Sequence, residues 1–196
     1  MKKLGFKIVY WLAYAICFPI YRPKVVGRSN VPDGACIICA NHTAIIDAVL
    51  LVLALGRKGD YGIMAKAELF KNKLFSAFFD MLNAIPVKRG KSDISAVKKS
   101  LTVLKNDKKL MIFPEGTRVG ENETSDAKSG IGMLAAKTAV PILPVYITPG
   151  RKAFRGCSLI CGKAYMPDGS DYKAIADTAM DRIRLLAEPR KGGDAL

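Results

Sequence analysis

One histidine, His42, stands in this chain of 196 residues, and a carboxylate, Asp47, follows it five positions later. Imidazole titrates near neutral pH, which suits it to take and return a proton. A carboxylate at one ring nitrogen selects the tautomer and compensates the charge that the ring acquires. The pair lies where an apolar run at 35–40 gives way to another at 44–55, so it reads as a general base and its orienting partner at a strand-to-helix junction. Spacing adds a condition. Five residues along a continuous helix separate two side chains by about 140°. His42 must therefore precede the helix, with Thr43 near the N-cap and Asp47 inside the first turns. Taken alone, a histidine beside apolar segments is more often a packed or capping residue, so the assignment leans on what else the chain supplies.

Further reactive or binding groups follow other strand-like runs. Lys66 follows 61–65, a candidate on charge alone; Arg89 follows 84–88; Glu115, Gly116, Thr117 and Arg118 follow 110–113. Guanidinium groups are planar bidentate donors suited to phosphate, and Gly116 lets backbone approach a ligand closely. In open α/β sheets, ligands gather at the carboxyl ends of strands, so these loops converge on His42 when the strands run parallel.

The elements that must carry these groups alternate. Strands are expected at 35–40, 61–65, 84–88, 110–113, 142–147 and 157–161, with a short strand and turn at 25–32. Helices are expected at 44–55, through the stripe Leu69, Phe70, Leu74, Phe75, Phe78, Phe79, Leu82, after a cap at Ser92 or Asp93, at 131–139, and through Ile175, Ala179, Ile183 and Leu186. A polar loop is expected at 120–129. The pattern is that of an α/β single domain, a mixed, largely parallel sheet flanked by helices. The 69–82 stripe is wider than one core face needs, which divides it between core packing and contact with lipid or an acyl chain.

Ahead of the domain (25–196) lies an apolar aromatic helix within 1–24, carrying Tyr10, Trp11, Tyr14 and Tyr21. No small-residue cleavage site follows it, which argues against a signal peptide. Pro19 and Arg22 are expected to cut it short of a transmembrane span. Basic residues at both ends and headgroup-level aromatics fit a helix at a membrane interface, while packing on the protein's own core competes evenly.

Lys and Arg total 31 against 17 acidic residues, a formal charge of +14, which favours an anionic partner. The aromatics cluster in apolar runs rather than interleaving with basic residues, which argues against nucleic acid. Cys36 and Cys39, three apart on a strand, point to opposite faces and cannot share a metal. The odd total of five cysteines suits buried free thiols in a reducing cytoplasm. No acidic or histidine cluster has metal-ligand spacing, so no metal and no cofactor are expected.

The order of motifs is more specific than any one of them. His-x-x-x-x-Asp at 42–47, Arg89 beyond a strand, Phe-Pro-Glu-Gly-Thr-Arg at 113–118 and Val-Pro-Ile-x-Pro-Val at 140–145 resemble the glycerolipid acyltransferase family, in particular its 1-acyl-glycerol-3-phosphate acyltransferases. The resemblance implies the fold of that family, His42 as base for the lysolipid hydroxyl, Asp47 as its orienter, and direct attack on a thioester without an acyl-enzyme. It also implies that Glu115, Gly116, Thr117 and Arg118 bind the glycerol phosphate, with Arg89 a second phosphate ligand, and that 140–145 shapes the pocket. The expected partners are an acyl-CoA or acyl carrier protein thioester as co-substrate, a lysophospholipid, and an anionic membrane surface at the cytoplasmic face, held peripherally or monotopically. Asn83 departs from the pattern, standing where the family often has glycine. Acyl transfer to another lysolipid, and a non-catalytic basic membrane-binding protein, are the competing functions.

Overall fold

A computed structural model describes residues 2–58, 60–88, 93–118, 127–149, 153–169 and 171–188. In chain order the elements are α1 (Lys2–Tyr21), β1 (Pro23–Val26), β2 (Ile37–Ala40), α2 (Ile46–Leu55), β3 (Tyr61–Lys66), α3 (Lys73–Met81), β4 (Ala84–Val87), α4 (Ile94–Lys105), β5 (Lys109–Ile112), α5 (Gly130–Thr138), β6 (Ile142–Ile147), β7 (Cys157–Cys161) and α6 (Tyr172–Leu185). Among the described residues the seven strands form one sheet in the order β1-β7-β6-β2-β5-β3-β4. From β6 through β4 every neighbouring pair is parallel; β7 is antiparallel to β6, and β1 runs with β7. The mixed, largely parallel α/β sheet expected from the alternation is therefore the observed one.

Parallel strands are buried on both faces, and here each face has its own core. On one, Cys36, Ile38, Ala40, Met111 and Leu143 meet Leu50 to Ala54 of α2 and Phe6 and Tyr10 of α1. On the other, Ile37, Cys39, Leu110 and Ile142 meet Ile131 and Leu134 of α5, Ala96 and Leu104 of α4, and Ile175, Ala179 and Ile183 of α6. Cys36 and Cys39 lie in opposite cores, as the strand period requires, and both thiols are free.

Two expectations are corrected. Pro19 does not end α1, which runs twenty residues to Tyr21, about 30 Å. The ring sits in the last turn, where it removes one intrahelical donor without stopping the helix. Termination comes at Arg22, whose φ of 39° leaves the helical region while its N–H still donates to the Phe18 carbonyl at 2.8 Å. Such a helix is long and apolar enough to cross a membrane by length and composition. It packs Phe6 and Tyr10 inward and leaves Leu4, Ile8, Trp11, Leu12 and Ile16 exposed, so core packing and an apolar outer face coexist on one element.

The 69–82 stripe is the second. It divides into a single 3-10 turn at Ala67–Phe70 and α3, none of whose residues is buried; Leu74 is 79% and Phe75 58% exposed. Thr43, expected near the N-cap of α2, stands two residues ahead of it. The helix begins at Ile46, with Ile45 at the N-cap and no side-chain cap there. Two local readings hold. Asp93 caps α4, accepting the Ala96 N–H at 3.0 Å; Ser92 and the loop at 120–126 lie outside the described residues. Asn83 takes φ 54°, a left-handed turn that asparagine tolerates, so it fills glycine's conformation without being glycine.

Candidate active site

The parallel run from β6 to β4 brings the carboxyl ends of five strands to one edge. His42 follows β2, Lys66 ends β3, and Phe113 to Arg118 follow β5, which pairs with both. Asn41 seals the top of the neighbouring seam. Its side-chain amide donates to the Ile147 carbonyl at 3.0 Å and its oxygen accepts the Ile147 N–H at 2.7 Å, extending the β2–β6 ladder by a side chain.

His42 lies ahead of α2 and Asp47 in its first turn, the arrangement that the spacing demanded. Nδ1 of the imidazole is 3.3 Å from Asp47 Oδ2. With Nδ1 carrying the proton, it donates to the carboxylate and leaves the Nε2 lone pair to act as base. Oδ2 also accepts the backbone N–H groups of Thr43 at 2.7 Å and Ala44 at 2.8 Å. Asp47 is fully buried, and a buried carboxylate needs hydrogen-bond donors in place of water, which the imidazole and the two N–H groups supply. It also sits at the N-terminus of α2, where the helix dipole favours negative charge. The Phe113 ring stacks on the imidazole, centroids 4.2 Å apart and planes 20° from parallel, which limits rotation of the ring.

The turn after β5 is closed by the Gly116 N–H donating to the Phe113 carbonyl at 3.0 Å. Gly116 has φ 66°, which only glycine adopts freely, and a Cβ there would press to 3.3 Å from Lys128. The turn points its side chains in different directions. Thr117 and Arg118 are exposed, and Arg118 has no ion pair among the described residues. Glu115 is 6% exposed and accepts the backbone N–H of His42 at 2.8 Å. Burial pushes its carboxyl up to about 7; the His42 N–H opposes this, Asp47 adds to it, and the Arg184 guanidinium opposes it.

The structure thus brings together His42, Asp47 and Glu115. Lys66 is at the same edge but two strands from β2, about 10 Å by ladder spacing, and pairs with Glu68 at 3.7 Å, both exposed. Arg89 lies outside the described residues. Asn41 and Phe113 were missed as site residues by sequence reasoning, although Asn41 adjoins the 42–47 motif and Phe113 opens the one at 113–118. Among the described residues no group of three or more His, Cys, Asp or Glu could hold a metal.

A strand-edge site with a buried histidine–aspartate pair can take a proton from a bound group and return it. The Acyltransferase family model matches residues 22–148, more than half of the chain, and the chain belongs to that family. It is 29% identical to the 1-acyl-sn-glycerol-3-phosphate acyltransferase of Bacillus subtilis over 83% of this chain and 87% of that one. It is also 29% identical to a chloroplastic 1-acyl-sn-glycerol-3-phosphate acyltransferase of Brassica napus over 69% of this chain, and there the match spans only 39% of the relative's length. The crystal structure of the 1-acyl-sn-glycerophosphate (LPA) acyltransferase PlsC from Thermotoga maritima superposes with a TM-score of 0.70 at 25% identity, covering 97% of this chain and 83% of that one. The glycerolipid acyltransferase resemblance and its fold are those of the family found.

Proposed function

We propose that the chain transfers a fatty acyl group from a thioester donor to the free hydroxyl of 1-acyl-glycerol-3-phosphate, giving phosphatidic acid. The observation that carries this reading is the His42–Asp47 pair at 3.3 Å, at the strand edge where the 113–118 turn also ends. Nε2 of His42 takes the hydroxyl proton as the oxygen attacks the thioester carbonyl. The C–S bond breaks, and the thiolate takes the proton back from the imidazolium. No acyl-enzyme forms. Asp47 keeps Nδ1 protonated and compensates the transient positive charge. Thr117 and Arg118 provide donors for the glycerol phosphate where Gly116 lets the backbone come close, with Arg89 a second ligand and Lys66 a more distant cation.

No metal or other cofactor takes part; acyl-CoA or acyl carrier protein serves as co-substrate. The exposed apolar faces of α1 and α3 support attachment to a membrane surface carrying anionic lipid, at its cytoplasmic side, from which both lipid substrates enter. The test is an acyl-transfer assay with labelled donor and lysophosphatidic acid. His42→Ala is expected to lower turnover at least about 10²-fold while the circular dichroism spectrum is unchanged. Retained turnover would remove His42 as the base.

A further inference from the structure

Of the residues on the 113–118 turn, Glu115 is the one whose chemistry suits a phosphate least. An ionised carboxylate repels a phosphate monoester, and this one faces inward while Thr117 and Arg118 face solvent. Its Oε2 is 2.8 Å from the His42 backbone nitrogen, bridging the loop after β5 to the loop after β2. We propose that Glu115 is a positioning residue, acting on the base by holding the His42 peptide N–H rather than by touching the lysolipid. The inference rests on reading His42 as the base.

Three consecutive peptide N–H groups, those of His42, Thr43 and Ala44, are held by two buried carboxylates from different elements, Glu115 and Asp47. Asp47 fixes the ring at Nδ1 and the loop ahead of α2. Without Glu115, the His42 peptide N–H itself would lose its acceptor, leaving the Asn41 clamp before it and the Asp47 contacts after it to hold the backbone. Phe113, two residues before Glu115, stacks on the imidazole, so the same turn touches His42 at both backbone and ring. A mounting error of about 1 Å at a reacting group is enough to lower a rate about 10²-fold.

The experiment uses Glu115→Gln and Glu115→Ala in the full chain. Turnover and KM for lysophosphatidic acid are measured beside proton–nitrogen NMR spectra of the imidazole, which is unambiguous because His42 is the only histidine. Gln keeps an acceptor oxygen, so Glu115→Gln is expected to hold the ring signals and turnover near wild type. Glu115→Ala is expected to shift the ring signals and lower kcat about 10²-fold, with KM unchanged. Where Glu115→Ala does not fold, Glu115→Asp, one methylene too short, takes its place in the same comparison. A raised KM with kcat and ring signals unchanged would overturn the proposal in favour of a substrate ligand. Because the spectra need no substrate, shifted ring signals without turnover on any acceptor would support the positioning contact and sink the acyl-transfer reading instead.

Discussion

A single carboxylate oxygen, Oδ2 of Asp47, serves three donors in the space between β2 and α2. Its charge and its shape can be separated by Asp47→Asn, which retains one acceptor oxygen for the Thr43 and Ala44 N–H groups but loses the charge that the imidazolium needs. We expect turnover to fall about 10²- to 10⁴-fold, with a stability loss of about 1–3 kcal/mol, measured by kinetics and thermal unfolding. Glu115 is expected to imprint the stability itself. Its carboxyl titrates at about 7 in the fold against an ordinary 4.5, so between these values the folded protein holds a proton that the unfolded chain releases. The favourable contribution is full below about pH 4.5 and is lost as pH rises through about 7, on the order of 3 kcal/mol. The groups that bear on it are His42, Asp47 and Arg184, none of which Glu115→Gln alters. Thermal midpoints measured from pH 4.5 to 8 should therefore decline less in Glu115→Gln than in wild type. The His-Asp pairing was legible because a five-residue interval has only one geometry in which the side chains meet. The Glu115 contact was not, because a side chain that binds a backbone N–H leaves no mark in the spacing of other side chains.

At the scale of elements, strands and helices of the sheet were readable from apolar periodicity, and their boundaries moved by only a few residues. The two elements that departed from expectation are those with apolar residues facing outward. In α1, the stop expected at Pro19 does not occur, because a proline in a last turn removes one donor and no more. In α3, helical spacing of Leu74, Phe75 and Phe78 described a true stripe, but periodicity does not say whether the stripe faces protein or lipid. Exposed aliphatic and aromatic side chains on both helices offer a direct test. Leu12→Asp and Phe75→Asp are expected to weaken partition onto phospholipid vesicles at least about tenfold each, read by vesicle flotation. Their thermal midpoints should stay near wild type, since neither side chain is part of the core.

The whole molecule is two-sided. α1 and α2 cover one face of the sheet, and α4, α5 and α6 the other, with the reactive edge between them. The exposed apolar residues of α1 lie on the first side, and the net charge of +14 gives the molecule as a whole a field attractive to anions. Raising salt from about 0.1 M to about 1 M shortens the screening length from about 10 Å to about 3 Å. Binding to anionic vesicles should therefore weaken with salt, while binding to neutral vesicles should not; equal salt responses would remove the electrostatic part of the attachment.

The inward side of α1 has a practical outcome for anyone seeking a soluble fragment. Tyr10 donates its hydroxyl to the Leu53 carbonyl at 2.8 Å, and Phe6 lies edge-on to Tyr61 with centroids 6.0 Å apart. Losing two such aromatics costs about 3–5 kcal/mol each, comparable with the whole stability of an ordinary domain, about 5–15 kcal/mol. A chain starting at Pro23 should be recovered from inclusion bodies rather than solution, because the helix with the apolar outer face is also a wall of the room in which α2 is built.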